Sequence, residues 1–398
     1  MLTRRTFLQG CTSLAASAMV CTRAGAVNGE PIRTIQNRID RLCRRALNER
    51  DARAAIVVGV VTPDTGSSGQ LLFAGRDTLV NPFGDKLVLD ARTPFAIGST
   101  SKVFTSGIHY MLHGPYEGRL GTWLGSRMTM STRVADLQLR NLAIYEPGLA
   151  QDNKGGVYPP DMMRSLRNLF DYMAHFVPPY EQGACYAYSN IGWALLSMAS
   201  LRLNSLDTEA FVTEYDQHLK QFCSRFDASD TSVFHPDMKP RLPIGYNRRL
   251  EPLPARNPYR PSFPPPGDGS GGIVSTGADM LRYLLYNMGR LPGGVTDRAL
   301  AYQQTETFQV PSCSTAGRAP RTSYGWFHIP VQSRSGSAVV LSKNGGVPGF
   351  TSWMGFTSWQ GSGAAATHGA FVLSNGLRST RIGMNAMREL LAPLDQPP

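Results

Sequence analysis

Apolar positions change period several times along the chain. Ile32, Ile35, Ile39, Leu42 and Ala46 recur at helical spacing and predict an amphipathic helix near the start. The run Ala55–Val61 is almost wholly apolar. Leu71–Ala74 follows it across Pro63-Asp64-Thr65-Gly66, whose turn chemistry predicts a β-hairpin. From about Phe95 to Asn247 the pattern reads as helix and loop, and Pro252–Gly272, rich in proline and glycine, as irregular chain. A helix is expected around Asp279–Met288. Beyond it come the short apolar runs Ala338–Ser342, Thr351–Phe356 and Ala370–Ser374, whose brief connections favour antiparallel strands. A last helix carries Ile382, Ala386 and Leu390 on one face. Strands near both ends with helices between them predict one sheet assembled from the two ends of the chain. The expected class is α+β. An antiparallel sheet flanked by terminal helices takes residues 27–94 and 260–398, and a mostly helical inserted domain takes residues 95–259.

Composition narrows this picture. Of the 398 residues 42% are hydrophobic and 17% charged, enough apolar material for a substantial core. Residues 1–26 stand apart. Arg4-Arg5, an apolar stretch from Leu14 to Val20 and the small residues Ala24-Gly25-Ala26 resemble a bacterial twin-arginine export signal. That reading predicts a periplasmic or secreted protein. Cys11 precedes the apolar stretch and is set aside as a lipoprotein signal. No later segment approaches the ~20 apolar residues that span a bilayer, so no integral membrane span is expected after signal removal. The formal charge is +11, but the basic residues are scattered rather than gathered in a block, which argues against a nucleic-acid partner. After the leader come Cys43, Cys185, Cys223 and Cys313. None has CxxC spacing, so no metal site is expected. Up to two disulfides are open to them in an oxidising compartment, and buried free thiols are the default expectation.

Three constellations carry candidate chemistry. In Gly98-Ser99-Thr100-Ser101-Lys102, the helical spacing of Phe104, Ile108, Met111 and Leu112 places Ser99 at or near a helix start, with Lys102 on the same face. A serine hydroxyl needs a base before it attacks. A lysine serves as that base only when burial or neighbouring positive charge lowers its pKa. A helix N-terminus beside the serine adds positive potential. Serine is equally a common N-cap, so the motif alone is weak. Tyr188-Ser189-Asn190 opens an apolar helix through Ile191, Leu195 and Met198. A tyrosine there can shuttle a proton, and an asparagine amide can bond both a lysine and a substrate carbonyl. Taken alone, a buried tyrosine beside a capping residue explains this tripeptide as well. Lys343-Asn344-Gly345-Gly346 follows the run ending at Leu341 and offers a cation and bare backbone at a strand end. A solvated lysine beside a turn is the plain alternative.

In this order, SxxK, YxN and Lys-x-Gly together resemble the serine β-lactamase and DD-peptidase superfamily, and most nearly its class C β-lactamase-like branch, which also holds esterases and amidases. Gly271-Gly272-Ile273-Val274-Ser275-Thr276 and Tyr324-Gly325-Trp326 add to the likeness, which covers nearly all of the chain after residue 26. The resemblance implies a β-lactamase/transpeptidase-like fold and a serine hydrolase working through an acyl-enzyme. Ser99 would be the nucleophile, Lys102 and Tyr188 its proton carriers, and Asn190 a substrate-positioning residue. It further implies an oxyanion hole from the backbone N–H groups of Ser99 and Gly346, with Gly345 beside it. Lys343 would face a substrate carboxylate or tune Tyr188. No metal or organic cofactor is implied, and the partner is a small-molecule or peptidoglycan-derived substrate: a β-lactam, a D-alanyl peptide or an ester. Asn344 departs from the hydroxyl residue usual between that lysine and glycine, which weighs against β-lactams. The alternative function is a non-turnover module that binds penicillin or peptidoglycan.

Other patterns carry less. Gly267-x-Gly269-x-x-Gly272 follows Pro264-Pro265-Pro266 rather than a strand and reads as loop, not as a dinucleotide fingerprint. There is no GxSxG elbow and no HExxH. His109 reads as packing, and His328 is ambiguous.

Overall fold

An uninterrupted apolar strand needs cover on both faces, and β1 (Ala55–Val61) is buried along its whole length. Its residues divide by the two-residue period of a strand. Ile56, Val58 and Val60 face a cluster that includes Ile39, Trp353, Ala370, Val372, Ile382, Ala386 and Leu390. Val57 and Val61 face the much larger core shared with the central helices. The computed structural model describes residues 37–42, 45, 54–75, 78–152, 156–247, 249, 251–253, 264–294, 297–304, 309–313, 319–333, 336–358, 365–376 and 379–392. The leader assigned to residues 1–26 lies outside them, as do Ile32, Ile35 and Ala46 of the expected opening helix. Residues 37–42 of that helix are helical.

β1 pairs on one side with β2 (Gln70–Gly75), the expected hairpin. Four short strands come next in sequence: β3 (Thr78–Val80) with β4 (Lys86–Val88) in a hairpin, then β5 (Pro94–Ala96) and β6 (Ser232–Val233). β5 and β6 flank β7 (Ile273–Thr276) in a small antiparallel sheet. The C-terminal strands are β8 (Arg321–Thr322), β9 (Phe327–Ser333), β10 (Gly336–Val347), β11 (Phe350–Thr357) and β12 (Gly369–Ser374). With β1 and β2 they form a seven-stranded sheet in the order β2-β1-β12-β11-β10-β9-β8. Every pairing is antiparallel, so the class is α+β.

Among the described residues the helices of eight residues or more are α1 (Ser101–His113), α2 (Leu166–Met173), α3 (Asn190–Ser200), α4 (Thr208–Ser224), α5 (Gly277–Asn287) and α6 (Ser379–Leu390). α6 lays Ile382, Ala386 and Leu390 on the outer face of the sheet. On the other face α1, α3, α4 and α5 share one core with Val57, Leu341, Met354, Phe356 and Phe371. Truncating a large side chain in such a core costs about 2–5 kcal/mol. α1 and α3, which begin beside the candidate site, are therefore rigid mounts for it.

Two expectations need correcting. Free thiols were the default for the cysteines, yet Cys185 and Cys313 form a disulfide. The backbones lie side by side there: Tyr186 N–H donates to Pro311 O (2.8 Å) and Cys313 N–H to Tyr186 O (3.0 Å). Chain pairing, invisible in sequence spacing, brings the sulfurs together. Cys223 is a buried free thiol, and Cys43 lies outside the described residues. The second correction concerns β10, expected to end at Ser342. It runs on to Val347, because Lys343–Gly346 stay paired with Ser352–Met354 and Thr351 of β11.

Candidate active site

Strand β5 delivers the chain to a tight turn, and that turn presents Ser99. Gly98–Thr100 is one turn of 3-10 helix running directly into α1. Gly98 has φ +51°, and a Cβ there would lie 2.6 Å from Gly346 N, so glycine is needed twice over. Hydroxyl groups anchor the turn. Ser101 Oγ donates to Gly98 O (2.7 Å) and accepts from Ile273 N–H (3.1 Å). On β11, the fully buried Ser352 donates to Ile97 O (2.6 Å), and its Oγ is 2.7 Å from Thr100 Oγ1. Ser99 itself is only half-buried.

One helical turn on, Lys102 is wholly buried. Its Nζ lies 2.8 Å from Asn190 Oδ1, 2.6 Å from Ser270 O and 3.2 Å from Ser99 Oγ. Burial, and next the positive charge of Lys343, hold its pKa well below the usual lysine value, against the opposing pull of Asp152. A neutral lysine has two N–H donors and one lone pair. Asn190 Oδ1 and Ser270 O, both acceptors, take the donors, which leaves the lone pair for the Ser99 hydroxyl. The arrangement can therefore take a proton from Ser99.

Tyr188 stands just before α3, buried, and its hydroxyl is near enough to Ser99 for that side chain to act on its pKa. Burial raises its pKa and the neighbouring Ser99 hydroxyl works the other way. Lys343 Nζ donates to Tyr188 OH (3.3 Å) and to Asn344 O (3.1 Å). Burial takes the Lys343 pKa down to about 7. The ammonium is also faced by aromatic rings, 5.1 Å from the centroids of both Tyr188 and Phe327. Tyr145 stacks on Tyr188, with centroids 5.3 Å apart, and on Phe327 at 5.1 Å. Its φ of +66° is rare for a bulky residue, and its hydroxyl is fixed by donation to Gly325 O (2.9 Å).

The upper part of β10 closes the site. Pairing with β9 stops at Ser342, so from Lys343 onward one edge of β10 is released from its sheet neighbour and meets the Ser99 turn. Asn344 and Gly346 are exposed there and Gly345 is buried. The structure thus brings together all the candidate residues: Ser99, Lys102, Tyr188, Asn190, Lys343, Asn344, Gly345 and Gly346. A Cβ at Gly345 would overlap Ile97 O and approach Ser352 Oγ to 2.6 Å and Ser99 N to 2.9 Å. Gly345→Ala should therefore displace the Ser99 turn. Activity should fall about 100-fold, in line with a misplacement near 1 Å. Overpacking should also lower stability by about 1–3 kcal/mol. Steady-state kinetics with thermal unfolding checks both, and an unchanged kcat/KM would contradict this packing.

Four contributors carried no sequence signal. Ser270 acts through its backbone carbonyl. Ser352 bonds Ile97, 255 positions away, and Tyr145 belongs to none of the motifs. Asp152 accepts from Asn190 N–H and Ile191 N–H at the head of α3. The glycine-rich stretch read as loop turns out to be a one-turn helix, Asp268–Gly271, and it supplies that Ser270 carbonyl to Lys102. His109 is packed, stacked on Tyr116 at 4.2 Å with Nδ1 3.0 Å from Ser200 Oγ. His328 Nε2 lies 3.0 Å from Ser323 Oγ. Among the described residues there is no cluster of ligands suited to a metal ion, and no helix is long and apolar enough to cross a membrane.

Comparison with known proteins sets this geometry in a family. The model of the Beta-lactamase family matches residues 71–391. The D-alanyl-D-alanine-carboxypeptidase/endopeptidase AmpH of Escherichia coli K12 is 24% identical over 250 residues, 61% of this chain and 58% of that protein. The match thus spans less than two thirds of that relative's length. A class C beta-lactamase superposes with a TM-score of 0.69 at 18% identity, covering 92% of this chain and 98% of its own. The D-alanine carboxypeptidase AmpC of Burkholderia cenocepacia gives a TM-score of 0.66 at 16% identity, covering 90% and 99%. The chain belongs to the Beta-lactamase family, within the serine β-lactamase and DD-peptidase superfamily, and has the fold of the class C enzymes.

Proposed function

We propose that the protein is a serine hydrolase acting through an acyl-enzyme on amide or ester bonds, with a D-alanyl peptide or an ester as the favoured substrate and β-lactams as relatives of it. The observation that carries this reading is the environment of Lys102: a buried lysine whose two other partners are both acceptors, with its third neighbour a half-exposed serine hydroxyl. Ser99 Oγ attacks the acyl carbon while its proton passes to Lys102 or Tyr188. The backbone N–H groups of Ser99 and Gly346 receive the oxyanion, the interaction with the largest expected share of barrier lowering. As the carbon–nitrogen or carbon–oxygen bond breaks, Tyr188 and Lys102 return the proton to the leaving group. Water then repeats the sequence in reverse and frees Ser99 with a carboxylic acid as product. Asn190 orients both Lys102 and substrate.

Lys343 serves best as the group that steers Tyr188, since it is buried against that hydroxyl. The exposed amide of Asn344 on the β10 edge favours a peptide or ester over a β-lactam. The names of the carboxypeptidase relatives point the same way. A periplasmic or secreted location, reached through the arginine-pair leader, accords with the Cys185–Cys313 disulfide.

The test is turnover by purified residues 27–398 of a chromogenic cephalosporin, a short nitrophenyl ester and a D-alanyl-D-alanine peptide, each with intact-mass analysis. Peptide or ester turnover with a persistent β-lactam adduct on Ser99 is the expected result. Rapid cephalosporin turnover would make it a β-lactamase and remove the weight placed on Asn344. Neither turnover nor adduct would overturn the hydrolase reading, and an adduct without any turnover would leave a binding module.

A further inference from the structure

Of the residues assigned to proton transfer, Lys102 stands on α1 and Tyr188 just before α3, and their relative placement needs something at the head of α3. The first N–H groups of a helix have no partner within it. In α3 each is accounted for. Gly192 N–H donates to the Ser189 side chain at 3.1 Å, while Asn190 N–H and Ile191 N–H donate to the two carboxylate oxygens of Asp152, at 2.7 Å and 3.0 Å. Ser189 Oγ reaches the same carboxylate at 3.4 Å. In return Asp152 N–H donates to Tyr188 O at 3.1 Å. Residues 188–191 are therefore held by one residue 36 positions earlier in the chain. Within that stretch the Tyr188 hydroxyl lies near Ser99 and accepts from Lys343 at 3.3 Å, and the Asn190 amide oxygen accepts from Lys102 at 2.8 Å.

We propose that Asp152 is a positioning residue of this site: its carboxylate clamps the Tyr188–Ile191 corner against Ser99 and Lys102, and its charge, bonded to Asn190 N–H beside the lysine, is the counter-charge to the ammonium that forms when Lys102 takes the Ser99 proton. The proposal rests on Lys102 being the base that serves Ser99. An ordinary N-cap would need one oxygen and any helix. Here a carboxylate uses both oxygens on two consecutive N–H groups, and the first of those two residues, Asn190, touches the lysine. Its burial supports the same role. A buried carboxylate is costly unless bonds offset it: burial raises the Asp152 pKa, and the N–H bonds from Asn190 and Ile191, then the charge on Lys102 when it is protonated, act the other way. Other titratable groups face this pair. Tyr158 and Tyr188 feel Asp152, and Lys343 on β10 opposes the charging of Lys102. None of these changes in the variants below.

Substituting Asp152→Asn removes the charge and leaves one acceptor. Without the carboxylate the Lys102 ammonium is less favoured, so Lys102 stays neutral to lower pH. The acid limb of the acylation rate should then move towards lower pH. The rate at the plateau should fall about tenfold or more as the corner loosens, the direction expected for small misplacement. Asp152→Glu keeps the charge on a longer arm. It should restore the acid limb to its wild-type position while leaving the plateau low. The measurement is the rate of adduct formation on Ser99, followed by mass across a pH series that covers the whole acid limb of the wild-type profile, with thermal unfolding of each variant alongside.

A role confined to capping would lower the melting temperature and leave the acid limb of Asp152→Asn superposed on wild type; that outcome overturns the proposal. Wild-type acylation surviving in Lys102→Ala would instead remove the reading on which the proposal rests. The two failures are therefore read from different variants.

Discussion

Replacing Ser99 with alanine is expected to remove turnover, with kcat/KM falling on the order of 10⁵- to 10⁶-fold, as loss of a nucleophile does in serine hydrolases. The fold should tolerate it. Ser99 is half-buried and the turn around it is held by Ser101, Thr100 and Ser352, so no hydrogen bond of that scaffold is lost. The melting temperature should stay within a few degrees of wild type, the range for a change of less than about 1 kcal/mol. The decisive reading is mass rather than rate: the variant should bind substrate yet never gain the mass of an acyl group. Retention of activity, or an adduct on another residue, would displace Ser99 from the mechanism.

The second large effect concerns the proton carriers. Lys102→Ala should slow acylation by about 10³- to 10⁴-fold, the upper range for a general base. It also leaves Asn190 Oδ1 and Ser270 O without the donor that each now has. Unsatisfied buried acceptors cost about 1–3 kcal/mol apiece, so this variant should lose stability as well as rate. Tyr188→Phe separates the two effects. It keeps the ring stacked on Tyr145 and removes only the hydroxyl that accepts from Lys343 and lies near Ser99. Its rate should fall about 10²- to 10³-fold. Single-turnover kinetics would tell whether that loss lies in acylation or in release of the acyl group. A Tyr188→Phe enzyme as fast as wild type in both steps would assign proton return to Lys102 alone.

Much of this fold could be read from the chain. β1 announced itself because a strand covered on both faces must be apolar throughout, and α6 because one face packs on a sheet and the other does not. The motifs at Ser99, Tyr188 and Lys343 stood out for a different reason, that few residue types suit the proposed proton transfers, and the fold sets them side by side. What was not legible shares a physical cause. Ser270 contributes a main-chain carbonyl, which every residue possesses. Ser352 contributes a hydroxyl whose importance depends on Ile97 lying beside it, 255 positions away in the chain. The Cys185–Cys313 bond follows from backbone pairing next to Tyr186. Lys343 was placed at a strand end because glycines suggest turns. The pairing of β10 with β11 keeps those glycines extended, and their lack of side chains serves close packing instead.

The position of β1 between β2 and β12 also has a meaning for biosynthesis. The ribosome makes Ser99 early, but the neighbours that shape its surroundings on β10 and β11 come much later, and β1 keeps one bare edge until Gly369–Ser374 has emerged. Sheets closed by such distant partners form slowly, and an unpaired edge invites association with other chains. A nascent chain halted before Gly369 is therefore a sticky, inactive species rather than a weak enzyme. On this topology catalytic competence should arrive late in synthesis, when the C-terminal strand pairs with β1.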